Sequence, residues 1–443
     1  MKVVNNNENA RKITPKNGEG SSIEKSPAQI EDSPLLRHLS MGDYFDENEY
    51  KRRERRQNFL QRGLPLLGML LGVMGIIFAV TSKEVPTPLA PSPSEPHTTI
   101  QIRDANEHML DIGGGLSLWY RTWGNRASGI PVLFVHGCPG NAISDYGHTN
   151  ANFFPAEKYF VVEVDQRGTG RSQPSVRDDC RNSQYYTDIS IDKMSHDFEL
   201  LREELGFEKW LVFGGSWGST LSLDYGTRYS ERCLGLILRG IYLNTVPEFD
   251  DVFSRAPYLN NKKRLREFDT WFEMAAREVK NSGEPPLDPN DSERFFRVYE
   301  RMIERCDRNA DSAIWHWHVF ETNLMEEDPK KLLDPTKIVL EKLPEATSVA
   351  FFESRLFLHG TFEDPVNLLE RVDRLKHTPT WVCQGHRDEV CPEQYAKTLV
   401  NALDFAGVPT KPRFIDAGHE ATDPVMAKCL KKALDEFAKT VYN

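Results

Sequence analysis

From Thr98 onward two periodicities alternate along the chain. Short β-branched and aromatic runs (TIQI, LSLWYRTW, PVLFVHG, YFVVEVD, WLVFGG, GLILRG, TPTWVCQG and KPRFID) predict eight strands. Between them, Ile191 to Leu205, the stretch from Leu221, Gln394 to Leu403 and Val425 to Tyr442 carry apolar residues at helical spacing. Strands alternating with helices imply a mainly parallel α/β sheet covered by helices. The alternation breaks at about 244–374, where the pattern is helical, rich in Trp and free of strand signals. This predicts a helical cap inserted into a domain spanning 98–443.

A different pattern precedes that domain. Gly63 to Ser82 runs 20 residues without a charge, enough at 1.5 Å per residue to cross a hydrocarbon core of about 30 Å. The segment lies too far from Met1 for an ordinary cleaved signal and lacks an amphipathic stripe, so one transmembrane helix is expected over 63–82. Lys51, Arg52, Arg53, Arg55, Arg56 and Arg62 precede it, whereas only Lys83 closely follows. The positive-inside bias puts the N-terminus in the cytosol and the large domain in a lumen or outside the cell. Residues 1–62 have no apolar period and predict a disordered tail. Five prolines between Glu84 and Pro96 make 83–97 a stiff linker.

Composition narrows the partners. The net charge is −11, and beyond the span 43 Lys and Arg face 56 Asp and Glu. An acidic domain without a basic block has no footprint for phosphate backbones, so nucleic acid is not an expected partner. The seven cysteines form no CxxC pair. Cys383 and Cys391 are close enough in sequence for a disulfide in an oxidising lumen, although spacing does not fix geometry.

The chemistry concentrates after the strand runs. Gly214-Gly215-Ser216-Trp217-Gly218 lies between a strand and a helical stretch, the setting in which a GxSxG turn projects a nucleophilic serine. A serine hydroxyl needs an imidazole to take its proton and a carboxylate to orient that imidazole, in the chain order Ser, acid, His. Asp388 follows TWVCQG and His419 follows RFID, both at carboxyl ends of strands. Glu389 competes for the acid; His386 competes for the base but breaks the order. His136-Gly137-Cys138-Pro139-Gly140 supplies a second wall, and the N–H groups of Cys138 and Trp217 would form an oxyanion hole. Asp165 to Ser172 reads as a structured loop that fixes geometry. His316 and His318, at i and i+2, point to different helix faces and are expected to pack within the cap. Asn290-Asp291-Ser292 fits the glycosylation sequon.

HGCPG, DQRGTGRS, GGSWGSTL and LRGIYL, in this order, resemble the proline iminopeptidase family of α/β-hydrolase serine peptidases. The resemblance implies an α/β-hydrolase fold and removal of an N-terminal residue, preferentially proline, from peptides with a free N-terminus through an acyl-enzyme. It also implies cap carboxylates that grip the substrate amine. Trp317-His318-Val319-Phe320-Glu321 is similar to the family's Trp-x-x-Trp-Glu stretch, and Phe352-Glu353-Ser354-Arg355-Leu356-Phe357 to its Ile-Glu-x-x-Tyr-Phe segment. Glu321 and Glu353 are therefore the expected amine ligands, as a buried cation requires. Cys138 departs from the family's HGGPG, and a Cβ there costs on the order of 1 kcal/mol if φ is positive. No cofactor or metal enters this reading. An esterase or amidase on the same scaffold is the alternative enzyme, and a silent receptor or scaffold the non-enzymatic one.

Overall fold

Eight strands in the order β1-β2-β4-β3-β5-β6-β7-β8 form a single sheet in the computed structural model, which describes residues 106–146, 152–326 and 330–442. The tail over 1–62, the apolar run over 63–82 and the linker over 83–97 lie outside these residues. Among the described residues no helix is long and apolar enough to cross a membrane.

β3 (Ile130–Val135), β5 (Trp210–Ser216), β6 (Cys233–Ile241), β7 (Thr380–Gly385) and β8 (Thr410–Ile415) run parallel, and β4 (Tyr159–Val164) joins them beside β3. All residues of β4 and β7 are buried, which explains why these runs read as continuous apolar stretches rather than alternating ones. β2 (Leu116–Gly124) pairs antiparallel with β4 and with β1 (Asn106–Gly113).

The strand expected at TIQI lies outside the described residues, and β1 takes NEHMLDIG instead. That segment sits at the sheet edge with most residues exposed, so no buried face imposes an alternating pattern on it.

Helices cover both faces. Gly235 of β6 faces Phe437, whereas the next residue, Leu236, packs against Gly226. Successive strand residues point to opposite faces. Hence α9 (Pro424–Tyr442) covers one face and α2 (Trp217–Arg228) the other, with α1 (Ile191–Glu204) packed on α2 and α8 (Glu393–Phe405) packed on β6, β7 and β8. On the α9 face, Met426, Leu430, Leu434 and Phe437 close a core with Val132, Val161, Leu211 and Ile237.

Among the described residues five α-helices lie between β6 and β7, where the strand pattern breaks: α3 (Val246–Phe253), α4 (Lys262–Asn281), α5 (Ser292–Ile303), α6 (Ala313–Met325) and α7 (Leu343–Leu358). Side chains of Asn261, Asp291 and Ser312 accept backbone N–H groups at the starts of α4, α5 and α6. The cap is held by aromatic contacts, with Trp271 stacked on Phe320 at 4.1 Å and edge-on to Trp317 at 5.4 Å. His318 packs on Trp315 within it, and burial lowers the pKa of both His316 and His318.

Two disulfides tie the domain. Cys180, beyond β4, pairs with Cys306 of the cap, and Cys383 of β7 pairs with Cys429 of α9. The pairing of Cys383 with Cys391 is therefore corrected. Cys391 lies in the loop that carries Asp388 and remains a buried free thiol.

Candidate active site

The β5–α2 junction creates the site's sharpest turn. Ser216 has φ 58° and ψ −132°, a conformation that lifts its side chain out of the sheet at the start of α2. The neighbouring chain approaches so closely that a Cβ on Gly137 would stand 2.8 Å from the Gly215 carbonyl oxygen and 3.0 Å from Ser216 Cβ. Only glycine fits there.

Trp217 opens α2, where its N–H has no intrahelical acceptor. Cys138 has φ 53°, so the residue that replaces glycine in HGCPG does occupy the left-handed region. The loop is fixed from behind: Gln166 donates from Nε2 to the His136 carbonyl at 2.9 Å, and Trp217 Nε1 donates to Gln166 Oε1 at 3.2 Å. Asp165 accepts from Ser144 and from the Arg171 N–H, closing the following loop on itself.

Asp388 and His419 meet across the ends of β7 and β8. Nδ1 of His419 lies 3.0 Å from both carboxylate oxygens of Asp388. Oδ1 of Asp388 also accepts the N–H groups of Val390 and Cys391, at 3.0 and 2.7 Å. Burial acts to raise the Asp388 carboxyl. The His419 imidazole, the Cys391 N–H and the charge of Arg239 outweigh it and hold the group below the usual carboxylate range.

The competing candidates fall elsewhere: Glu389 pairs with Arg264 of the cap, and His386 binds Glu393 at 2.7 Å.

Ser216 is not hydrogen-bonded to His419. The Arg239 guanidinium stands 3.3 Å from His419 Nε2, and the buried Cys391 thiol lines the same cavity as Ser216. Sequence reasoning singled out neither group for this position. Arg239 lies within the LRGIYL segment and Cys391 three residues beyond Asp388, but only the register of β5 on β6 brings Arg239 beside Gly215.

Glu321 of α6 and Glu353 of α7 converge on the same cavity. Cys138 Sγ lies 3.2 Å from Glu353 Oε1 and 3.8 Å from Glu321 Oε2, while Trp317 Nε1 donates to Glu353 Oε2 at 2.8 Å. Burial, then the adjacent Glu321 charge, pushes the Glu353 carboxyl well above its ordinary range, and burial raises Glu321 as well. An oxygen of each carboxyl lies within 4.8 Å of the other, and like charges so close favour keeping a proton on the pair. A cationic group entering there would offset the negative charge that remains on the pair.

The cavity measures about 210 Å³ and is lined by Ser216, His419, Arg239, Cys138, Glu321 and Glu353, with Phe253 and Phe357 among its apolar walls. At about 30 Å³ per water this is room for roughly seven waters, suited to one small residue and the start of the next.

Residues 130–422 match the family described as alpha/beta hydrolase fold, which makes the chain an α/β hydrolase. It is 32% identical over 334 residues to a probable proline iminopeptidase of Leptolyngbya boryana, covering 74% of this chain and 93% of that protein. It is 31% identical over 313 residues to the proline iminopeptidase of Neisseria meningitidis serogroup B, covering 70% and 89%. The Arabidopsis thaliana proline iminopeptidase is 30% identical over 342 residues, covering 75% and 78%. The chain belongs to the proline iminopeptidase family.

Proposed function

We propose that the protein is a membrane-anchored serine aminopeptidase that releases an N-terminal residue, preferentially proline, from peptides. The observation that carries this reading is the close pair of carboxyls of Glu321 and Glu353, which lines the same cavity as Ser216. A general esterase has no use for two buried carboxyls facing its acyl pocket, whereas a free α-amine needs them to offset its desolvation.

In this mechanism the substrate amine binds Glu321 and Glu353, which brings the first carbonyl to Ser216. The Ser216 hydroxyl turns to His419 Nε2, gives up its proton there and attacks the carbonyl carbon. Asp388 keeps Nδ1 protonated and so leaves Nε2 as the acceptor. The N–H groups of Cys138 and Trp217 receive the developing oxyanion. His419 returns the proton to the leaving nitrogen as the C–N bond breaks, and water then repeats the sequence on the acyl-enzyme.

The proposal places the catalytic domain in a lumen or outside the cell, tethered by the apolar run over 63–82 with the N-terminus cytosolic. Support comes from the basic residues before that run and from two disulfides in the domain, which are characteristic of oxidising compartments.

Hydrolysis of free and N-acetylated prolyl arylamides by the full-length chain, beside alanyl and leucyl ones, tests the activity. Rapid cleavage of the free prolyl substrate alone is expected. Equal cleavage of the acetylated substrate would overturn the amine site and leave an esterase or amidase.

A further inference from the structure

The cavity contains one arginine that no carboxylate touches, although its charge acts through space on Asp388. Other arginines with mostly buried side chains are paired: Arg121 with Glu163, Arg167 with Asp197, Arg202 with Glu199, Arg264 with Glu389 and Arg355 with Glu304. Arg239 lines the catalytic cavity, and among the described residues no carboxylate lies within 4.0 Å of its guanidinium. Its Nη1 donates to the His419 carbonyl at 2.8 Å and stands 3.3 Å from His419 Nε2, and its Nε is buried without a partner. Gly215 leaves the space it fills, since a Cβ there would stand 2.6 Å from that Nε. Arg239 is half-buried, and a cavity-facing guanidinium with a buried, unpartnered Nε and no anion in contact marks a place where an anion can arrive with the ligand.

The position defines which anion. His419 Nε2 is the atom that protonates the leaving nitrogen, so the leaving residue must lie against it. In a dipeptide, the terminal carboxylate is two bonds from that nitrogen, with oxygens about 3 Å away. This matches the separation of Arg239 Nη1 from Nε2.

We infer that Arg239 binds the C-terminal carboxylate of the leaving residue, making dipeptides with a free carboxyl terminus the preferred substrate class. The inference rests on the aminopeptidase reading and specifies its second subsite. Glu321 and Glu353 hold the cationic end of the zwitterion, Arg239 holds the anionic end, and the scissile bond lies between them at Ser216.

The test compares kcat/KM of the full-length chain for Pro-Gly, Pro-Gly amide and Pro-Gly-Gly, with prolyl arylamide as reference. Pro-Gly is expected to exceed its amide at least about tenfold, as one charge-assisted hydrogen bond implies. Pro-Gly-Gly, whose carboxylate lies three bonds further on, is expected to resemble the amide. Arg239→Gln is expected to erase the preference and Arg239→Lys to keep part of it. Equal rates for acid and amide in the unaltered chain, with the arylamide still cleaved, would overturn the carboxylate site while leaving the aminopeptidase reading intact. So would a preference that survives Arg239→Gln. If no prolyl substrate with a free amine is cleaved, both readings fall.

Discussion

The Cys138 thiol lies 3.2 Å from Glu353 Oε1, on a residue whose φ of 53° is one that side chains other than glycine rarely adopt. Burial, then the charges of Glu353 and Glu321, pushes this thiol well above its ordinary pKa. The thiolate is the reactive species, so a cysteine lining an open cavity is expected to be inert. Alkylation of the folded protein by iodoacetamide at pH 8, followed by peptide mass spectrometry, should show Cys138 labelled far more slowly than a free thiol. Rapid labelling of the unaltered protein would mean that the thiol does not face the carboxyl pair.

The same pair makes a kinetic prediction. Glu321→Gln and Glu353→Gln each retain the shape of the side chain and remove the ionisable oxygen that pairs with a substrate ammonium. Each is expected to lower kcat/KM for free prolyl substrates about tenfold to a hundredfold. The loss belongs mainly in KM, because the amine is bound in both ground and transition states. A fall confined to kcat would instead assign these residues to the reacting centre.

What the sequence revealed and what it hid follow from the range of the forces involved. The strand-end turns that carry Ser216, Asp388 and His419 were legible because such turns leave local marks of Gly, Asp and His, and the cap because the strand pattern stops at Leu243. β1 was missed because NEHMLDIG is an exposed edge strand on which no core imposes a period. The pairing of Cys383 with Cys429 depends on how α9 lies across β7, a relation between segments 46 residues apart. Arg239 was hidden for the same reason. Its sequence neighbours are apolar residues and glycine, and its proximity to His419 arises from inter-strand register and two loop ends.

Glu248 extends the predictions to stability. It lies in the first turn of α3, with Oε2 accepting the Leu243 N–H at 2.7 Å, and burial pushes its carboxyl up to about 8. The folded state therefore keeps a proton that the unfolded chain releases above about pH 4.5. Linkage makes stability fall as pH rises from about 4.5 towards 8, by at most about 1.4 kcal/mol per unit. Glu248→Gln preserves the acceptor without the titration. The difference between variant and parent in urea unfolding free energy should grow in the variant's favour from pH 5 to pH 7.5. A difference independent of pH would show that Glu248 is ionised in the folded protein.

The proposed topology predicts both a modification and an oxidation state. Asn290 is exposed before α5 and lies in the sequence's single Asn-X-Ser/Thr sequon, so a lumenal domain presents it to the glycosylation machinery. The disulfide between Cys180 and Cys306 closes a sequence separation of 126 residues. In the chain-entropy view such a crosslink is worth about 4 to 5 kcal/mol, and it joins the cap to the segment beyond β4. Translation of the full-length chain into microsomes should give one glycosidase-sensitive mass increment, absent in Asn290→Gln. Denaturation without reductant should then leave three cysteines open to alkylation, Cys138, Cys233 and Cys391, and reduction should expose all seven. If the unreduced chain alkylates at all seven positions and gains no sugar, the domain faces the cytosol and the tether reading is overturned, while the assignment of Ser216, His419 and Asp388 is unaffected.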